Sequence, residues 1–333
     1  METSKNFWQG KRVLITGGSG FIGSHLTREL VRRGATLLLL THNPHQSWRI
    51  NSILSSVKQA HWTDALNLAD VMQGFDPQFV FHLATYRNVG RSADLIEPMM
   101  EANLARTQHL AKAALASARS LRLFVNTGTC EEYGNLPAPF SESMREKPVS
   151  PYSLGKTLAI QSIDFLSRIA HLPAINVRPF TTFGGWQVAD MLIPQVITHL
   201  LEGEEFPMSA GDQTRDFIYV EDVVDAYLHL AEFKTRDSNA PQGEIYNIAT
   251  GVESRVKEVV AQIAEMIGGK AMIQFGSRPL REGEPIHFFA DVSRINQTGW
   301  RAKTSLIEGL SRTIGWYREH YQTFRNQLLP IVR

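Results

Sequence analysis

Residues 17–23, Gly-Gly-Ser-Gly-Phe-Ile-Gly, constrain this chain more than any other stretch. They follow a short apolar run, Arg12–Thr16, and open a segment, 20–33, whose apolar residues recur at helical spacing. Glycines at this spacing let a chain leave a strand, turn at once and start a helix lying close against that strand. The first N–H groups of such a helix have no partners within it. They form a cradle for a pyrophosphate, so strand, turn and helix together read as a dinucleotide-binding unit. The competing reading is a glycine-rich turn without a ligand, and the flanking strand and helix weigh against it.

The first half of the chain repeats this alternation. Strands are expected at Thr36–Thr41, 60–63, 79–83, 121–127 and 174–178, with helices over 96–118 and Pro151–Ala170. Near-continuous apolar strands separated by helices imply a parallel sheet covered on both faces. After Phe183-Gly184-Gly185 the pattern becomes irregular. Helices are expected at 191–203, 221–233, Val256–Ile267 and 305–321, an extended run at 215–220, and a strand at 244–248 that rejoins the first sheet. The expected fold is α/β: a Rossmann-type doubly wound parallel sheet with a smaller C-terminal α/β substrate lobe. The dinucleotide domain would span 1–183 with a returning segment near 216–250. The lobe would comprise 184–215 and 251–333, set over the carboxyl edge of the sheet where ligands bind in such folds.

Composition removes several function classes. A net charge of +1 offers no basic field for nucleic acid. The one cysteine, Cys130, excludes an internal disulfide and a cysteine-rich metal site, and the histidines show no paired metal spacing. Met1-Glu2-Thr3-Ser4-Lys5 lacks the apolar core of a signal peptide, and no apolar run is long enough to span a bilayer. A cytoplasmic location with no membrane partner is the simple expectation.

Chemistry enters at Ser150-Pro151-Tyr152-Ser153-Leu154-Gly155-Lys156. Tyr152 and Lys156, four residues apart on a helix, share one face. A nearby ammonium favours the phenolate, so Tyr152 is expected to exchange a proton near neutral pH. With a nicotinamide dinucleotide on the glycine turn, this pair implies hydride chemistry at a carbinol or ketone. The second strand ends Leu40-Thr41-His42-Asn43-Pro44, without the carboxylate that would hold a ribose 2′-OH and repel a 2′-phosphate. His42, Asn43 and Arg49 could instead surround a phosphate, so NADP is the expected cofactor, with NAD the other possibility.

With these features the chain resembles the extended short-chain dehydrogenase/reductases, in particular their nucleotide-sugar epimerase, dehydratase and ketoreductase branch. The resemblance runs from about Lys11 to about Tyr317. The turn Thr16–Gly23 matches the family's T-G-x-x-G-F-I-G, which puts Gly17, Gly20, Phe21, Ile22 and Gly23 against the cofactor. Further cofactor contacts implied by the resemblance are Asp64 at the adenine, Leu83 and Ala84 of His82-Leu83-Ala84 at the nicotinamide ribose, Asn103, Thr127, Tyr152 and Lys156. The segment Thr127-Gly128-Thr129-Cys130-Glu131-Glu132-Tyr133-Gly134 implies that Thr129 orients the reacting sugar oxygen. It also places Glu131 and Cys130 where dehydratases of the family carry an acid/base pair. On the substrate side the resemblance implies Thr129, Thr181 (where the family has asparagine), Leu192, Arg215 of Arg215-Asp216-Phe217, and Arg281 of Arg281-Glu282-Gly283-Glu284-Pro285.

The implied partner is a nucleotide-diphosphate sugar, reacting at C4 of the hexose. Reduction of a 4-ketosugar is favoured narrowly, because the missing ribose-binding acid suits a consumed NADPH. Epimerisation at C4 and 4,6- or 5,6-dehydration with an internally recycled cofactor remain alternatives. A protein that senses the dinucleotide without catalysis is the alternative of another class; retention of both Tyr152 and Lys156 speaks against it. The family's dimer, formed by the two long helices 96–118 and Pro151–Ala170, implies a homodimer.

Overall fold

The computed structural model describes residues 7–42, 47–63, 66–88, 90–236, 241–268, 272–280 and 283–328. The chain runs β1 (Arg12–Thr16), α1 (Phe21–Arg32), β2 (Thr36–Thr41), β3 (Lys58–His61), α2 (Leu68–Phe75) and β4 (Phe79–His82). It continues through α3 (Ile96–Met99), a π-helical stretch (Met100–Ala105), α4 (Arg106–Ser117), β5 (Leu123–Thr127), α5 (Pro151–Ala170) and β6 (Ala174–Pro179). The remainder is β7 (Thr181–Phe183), α6 (Leu192–Glu202), β8 (Phe206–Pro207), β9 (Thr214–Arg215), β10 (Phe217–Tyr219), α7 (Val220–Arg236), β11 (Gln242–Ile248), β12 (Ser254–Arg255), α8 (Val256–Ile267), β13 (Ile273–Gln274), α9 (Ser293–Gln297) and α10 (Leu306–Leu328).

One parallel sheet of seven strands forms the base, in the order β11-β6-β5-β4-β1-β2-β3. The expected return of the chain to this sheet is β11, which pairs with β6. Alternation along the strands divides the core. Val13, Ile15, Leu37, Leu39, Phe79 and Phe81 face α1 and α7, where Leu26, Leu30, Val223 and Tyr227 meet them. Leu14, Leu38, Leu40, Val80 and Phe124 face the other way, against Met72 of α2, Leu110 of α4 and Ile163 of α5. Burial on both faces explains why these strands read as unbroken apolar runs. The sequential order reverses between β1 and β4, and a crevice opens there beyond the carboxyl ends of the strands.

A second core gathers the lobe. Ile193, Val196 and Leu200 of α6, Val259, Val260 and Ile263 of α8, and Leu310, Ile314 and Tyr317 of α10 pack together. The extended run expected at 215–220 is split: β9 pairs with β12, and β10 pairs with β7. Among the described residues no helix is long and apolar enough to cross a membrane.

The helix expected over 96–118 is present as one helical run, 96–117, but it is not regular α-helix throughout. A π-helical stretch interrupts it, and this wider turn carries Asn103. The Asn103 side chain leaves the helix to accept from Thr85 Oγ1 (2.9 Å) and Tyr86 N (3.0 Å) and to donate to Tyr86 O (3.1 Å). Thr107 Oγ1 donates to the Asn103 carbonyl at 2.7 Å and satisfies it at the junction. Such insertions are common beside functional sites.

Candidate active site

The glycine turn packs as tightly as its sequence suggests. Gly17 has φ +70°, and a Cβ there would lie 2.7 Å from Ala84 N. A Cβ on Gly23 would lie 2.0 Å from the Gly17 carbonyl oxygen. The start of α1 therefore sits directly under the turn, with its N–H groups aimed at a cavity of about 870 Å³. That cavity runs from Leu40, Thr41 and His42 at the end of β2 to Thr129, Tyr152 and Lys156. Its size, glycine floor and apolar walls fit a dinucleotide.

The wall beyond β4 is held by a hydrogen-bond chain that the sequence did not disclose. The Thr16 hydroxyl contacts His82 Nδ1 at 2.6 Å, and His82 Nε2 contacts Thr107 Oγ1 at 2.8 Å. Because Thr107 Oγ1 donates onward to Asn103 O, His82 Nε2 must be the donor, and Nδ1 accepts from Thr16. Thr16 Oγ1 in turn accepts from Ala84 N at 3.2 Å. Burial, reinforced by the Lys156 charge, lowers the His82 pKa to about 3, so the ring stays neutral and the chain keeps one direction. It fixes Leu83 and Ala84, both of which line the cavity. Asn103 does not line the cavity; it lies behind the wall as the clamp on residues 85 and 86.

Opposite the glycine turn stands a short 3-10 turn, Cys130–Tyr133, capped by Thr129. Thr129 Oγ1 accepts from Glu131 N at 3.3 Å, and Glu132 Oε1 accepts from Thr129 N at 2.7 Å. Glu132 is fully buried and ion-paired to Arg178 Nε at 2.8 Å; Arg178 also holds Glu146 and lies over the Tyr133 ring. This buried network sets the backbone that presents Thr129. Helix α5 supplies the other two groups. Ser150 caps it by a reciprocal bond with Ser153, and Pro151 occupies its first turn. Gly155 lets α5 close on the junction of α3 and the π-helical stretch, since a Cβ there would lie 3.1 Å from Met99 O and 3.4 Å from Asn103 Cβ. Tyr152 and Lys156 then point into the cavity from the first turns.

The expected tuning of Tyr152 by Lys156 needs correction. Burial raises the phenol pKa and the Glu131 carboxylate adds to the rise, with Arg87 and Thr129 opposing. Lys156 Nζ is turned to the Thr127 carbonyl, at 2.8 Å. Burial lowers the Lys156 pKa to about 8, against the attraction of Glu132. Glu131 is half-buried; burial raises its pKa and Arg87, Arg215 and Arg91 pull it back. Cys130 is a buried thiol whose pKa burial and the flanking carboxylates push far up.

A second chamber of about 440 Å³ adjoins the first, sharing Arg87, Cys130, Glu131 and Thr181 with it. Arg215 lines this chamber and is paired with Glu284. Thr181 stands at the junction of the two chambers. Other expectations fare differently. Arg49 is buried behind the glycine turn and does not line the cavity: Nε donates to Trp186 O at 2.8 Å, Nη1 to Ser19 O at 3.5 Å, and the guanidinium lies over Trp48, so its donors are turned to protein rather than to a cofactor phosphate. Leu192 packs into the lobe core, and its neighbour Met191 lines the cavity instead. Asn43, Asp64 and Arg281 lie outside the described residues. Side chains the sequence did not single out include Arg87, Trp62, Gln187 and Arg106, all lining the main cavity. They come from separate loops and helices, and no local motif marks them. Among the described residues no group of His, Cys, Asp and Glu could hold a metal ion.

Comparison with known proteins agrees with this geometry. Residues 13–249 match the NAD dependent epimerase/dehydratase family, and the chain belongs to it. It is 30% identical to the UDP-glucose 4-epimerase of Mycolicibacterium smegmatis over 93% of this chain and 100% of the relative. It is 27% identical to the dTDP-glucose 4,6-dehydratase of Shigella flexneri over 92% of both. The solved structure of MoeE5 in complex with UDP-glucuronic acid and NAD is 32% identical, with a TM-score of 0.78, over 92% of this chain and 99% of that one. The protein is thus an enzyme of the extended short-chain dehydrogenase/reductase type, in its nucleotide-sugar epimerase/dehydratase branch, and the sensing alternative falls away.

Proposed function

We propose that this enzyme moves a hydride between a nicotinamide dinucleotide and C4 of a nucleotide-linked hexose, acting as an NADPH-dependent 4-ketoreductase. The observation that carries the reading is the convergence of Thr129, Tyr152 and Lys156 on one wall of the cleft, facing the glycine cradle. The dinucleotide, when bound, supplies hydride chemistry at its pyridine ring; the chain supplies placement and the proton. Tyr152, held as the phenol by burial, is loaded to give its proton to the sugar O4 as a ketone becomes a hydroxyl. Thr129 orients that oxygen. Lys156, beside the Thr127 carbonyl, holds the ribose hydroxyls. Arg215 at the far chamber suits the paired oxygens of a diphosphate.

One feature favours reduction over dehydration. The chain has no Asp or Glu between Glu29 and Asp64, so β2 cannot end in the carboxylate that excludes NADP. Dehydration or epimerisation with a retained cofactor is the second reading, supported by the relatives' activities and by Glu131, which lines the cavity near Tyr152 and could take a proton from C5. The test is absorbance at 340 nm. Stoichiometric NADPH oxidation with a nucleotide-4-keto-6-deoxyhexose supports the reductase. Turnover of a plain nucleotide-hexose without added cofactor replaces it with the second reading. A homodimer through the helical run that begins at Ile96 (α3, the π-helical stretch and α4) and through α5 completes the proposal, since Ile96, Phe165 and Ile169 leave 40%, 55% and 61% of their surfaces exposed there.

A further inference from the structure

The failure of Arg49 leaves the NADP reading without its cation, and the structure offers another. We infer that Arg106, on the first turn of α4, is the residue that recognises the 2′-phosphate of the dinucleotide, with His42 as its partner. This rests on the NADP reading and names the side chain responsible for it.

The adenosine end of the cleft is fixed by the fold. In a doubly wound sheet the ribose lies beyond the end of β2, here Thr41 and His42. Trp62, just after β3, stacks on the His42 ring with centroids 5.2 Å apart and planes 20° apart. Arg106 reaches this corner from across the cleft: its Nη1 lies against both ring nitrogens of His42, at 2.8 Å from Nδ1 and closer to Nε2. Arg106, His42 and Trp62 all line the main cavity. Arg106 and Trp62 also line an adjoining cavity of about 470 Å³, where Lys112 adds positive charge and Glu101 is the acid among the described residues. Glu101 Oε1 forms a long ion pair with Arg106 Nε, at 4.0 Å.

The π-helical stretch explains how the sequence delivers this arginine. One extra residue in a turn rotates everything after it by about 100°. The stretch ends at Ala105, so Arg106 is the first residue to feel the new register, and its side chain meets His42 just past the end of β2. A planar guanidinium suits the oxygens of a phosphate monoester, and its charge offsets the dianion. Nothing comparable would be gained from a bare 2′-hydroxyl.

The test is equilibrium binding of NADPH and NADH, followed by fluorescence, to the purified enzyme freed of cofactor and to Arg106→Ala, Arg106→Lys and Arg106→Glu. Thermal melts establish that each variant is folded. The expected result is a loss of NADPH affinity of about tenfold or more in Arg106→Ala, a larger loss in Arg106→Glu and partial retention in Arg106→Lys. NADH affinity should stay within about twofold, because only the phosphate contact is removed. The wild-type NADPH constant should also weaken with salt more steeply than the NADH constant. Equal losses for both cofactors would mean that Arg106 stacks on the adenine and would overturn the assignment. A wild-type enzyme that prefers NADH would instead reject the NADP reading itself.

Discussion

Lys156 is stable where it stands only at a cost, and that cost can be measured. The ammonium is 3% exposed and its single hydrogen bond goes to the Thr127 carbonyl. Its pKa falls from 10.5 to about 8 through burial. That difference corresponds to about 3 kcal/mol of penalty on the charged form at neutral pH. Lys156→Met keeps the volume of the chain, removes the charge and gives up one hydrogen bond worth about 1 kcal/mol. The cofactor-free variant is therefore expected to be about 2 kcal/mol more stable than the wild type at pH 7, and inactive. The pH dependence carries the sign. Below about 8 both folded and unfolded wild type hold the proton, and the penalty is fully present. Between about 8 and 10.5 the folded protein releases it while the unfolded chain keeps it, so wild-type stability rises with pH. The advantage of Lys156→Met should thus be constant below pH 8 and fade above it. Urea denaturation of both proteins at pH 7 and pH 9.5 reads this directly. A variant less stable than wild type at pH 7, or an advantage indifferent to pH, would refute the reasoning.

Three further outcomes follow from the same structure. Arg178→Met strands the buried Glu132 carboxylate and should cost about 3–5 kcal/mol by urea denaturation, with much of it regained in the double variant Arg178→Met/Glu132→Gln; an additive double variant would contradict the buried pair. His25 is half-buried against the Gly185 carbonyl, with its pKa lowered to about 4, and His82 is lowered to about 3. Unfolded histidines take up protons first, so stability should fall as pH drops from about 6.5 toward 4, and His25→Gln should flatten part of that slope; an unchanged slope would deny His25 a share. Phe165→Glu should halve the mass seen by light scattering if α5 forms the dimer face, and a monomeric wild type would remove the dimer from the proposal.

What could be read ahead of the structure was what local spacing encodes. The glycine turn, the Tyr152–Lys156 pair and the run of two-face-buried strands each lie within a few residues of chain, and backbone geometry carries them into place. What could not be read depends on distant segments meeting. The chain through Thr16, His82 and Thr107 joins β1, β4 and α4, and the support of Thr129 joins Glu132 to Arg178 on β6. Arg49 shows the opposite error. Its position after β2 suggested a phosphate ligand, yet Trp48 and the Trp186 carbonyl close over it, while Arg106 reaches the corner from a remote helix. The π-helical stretch that turns Arg106 has no signal in the apolar periodicity, because the neighbouring residues are compatible with an ordinary helix.

Hydride transfer to C4 is tested most directly by isotope. The enzyme is incubated with NADPH carrying deuterium at the transferable position of its pyridine C4 and a nucleotide-4-keto-6-deoxyhexose, and the product is read by mass spectrometry and NMR. One deuterium at sugar C4, with Tyr152→Phe slowing its arrival by orders of magnitude, is the expected result. Deuterium at another carbon, a product without label, or unimpaired transfer by Tyr152→Phe would contradict it.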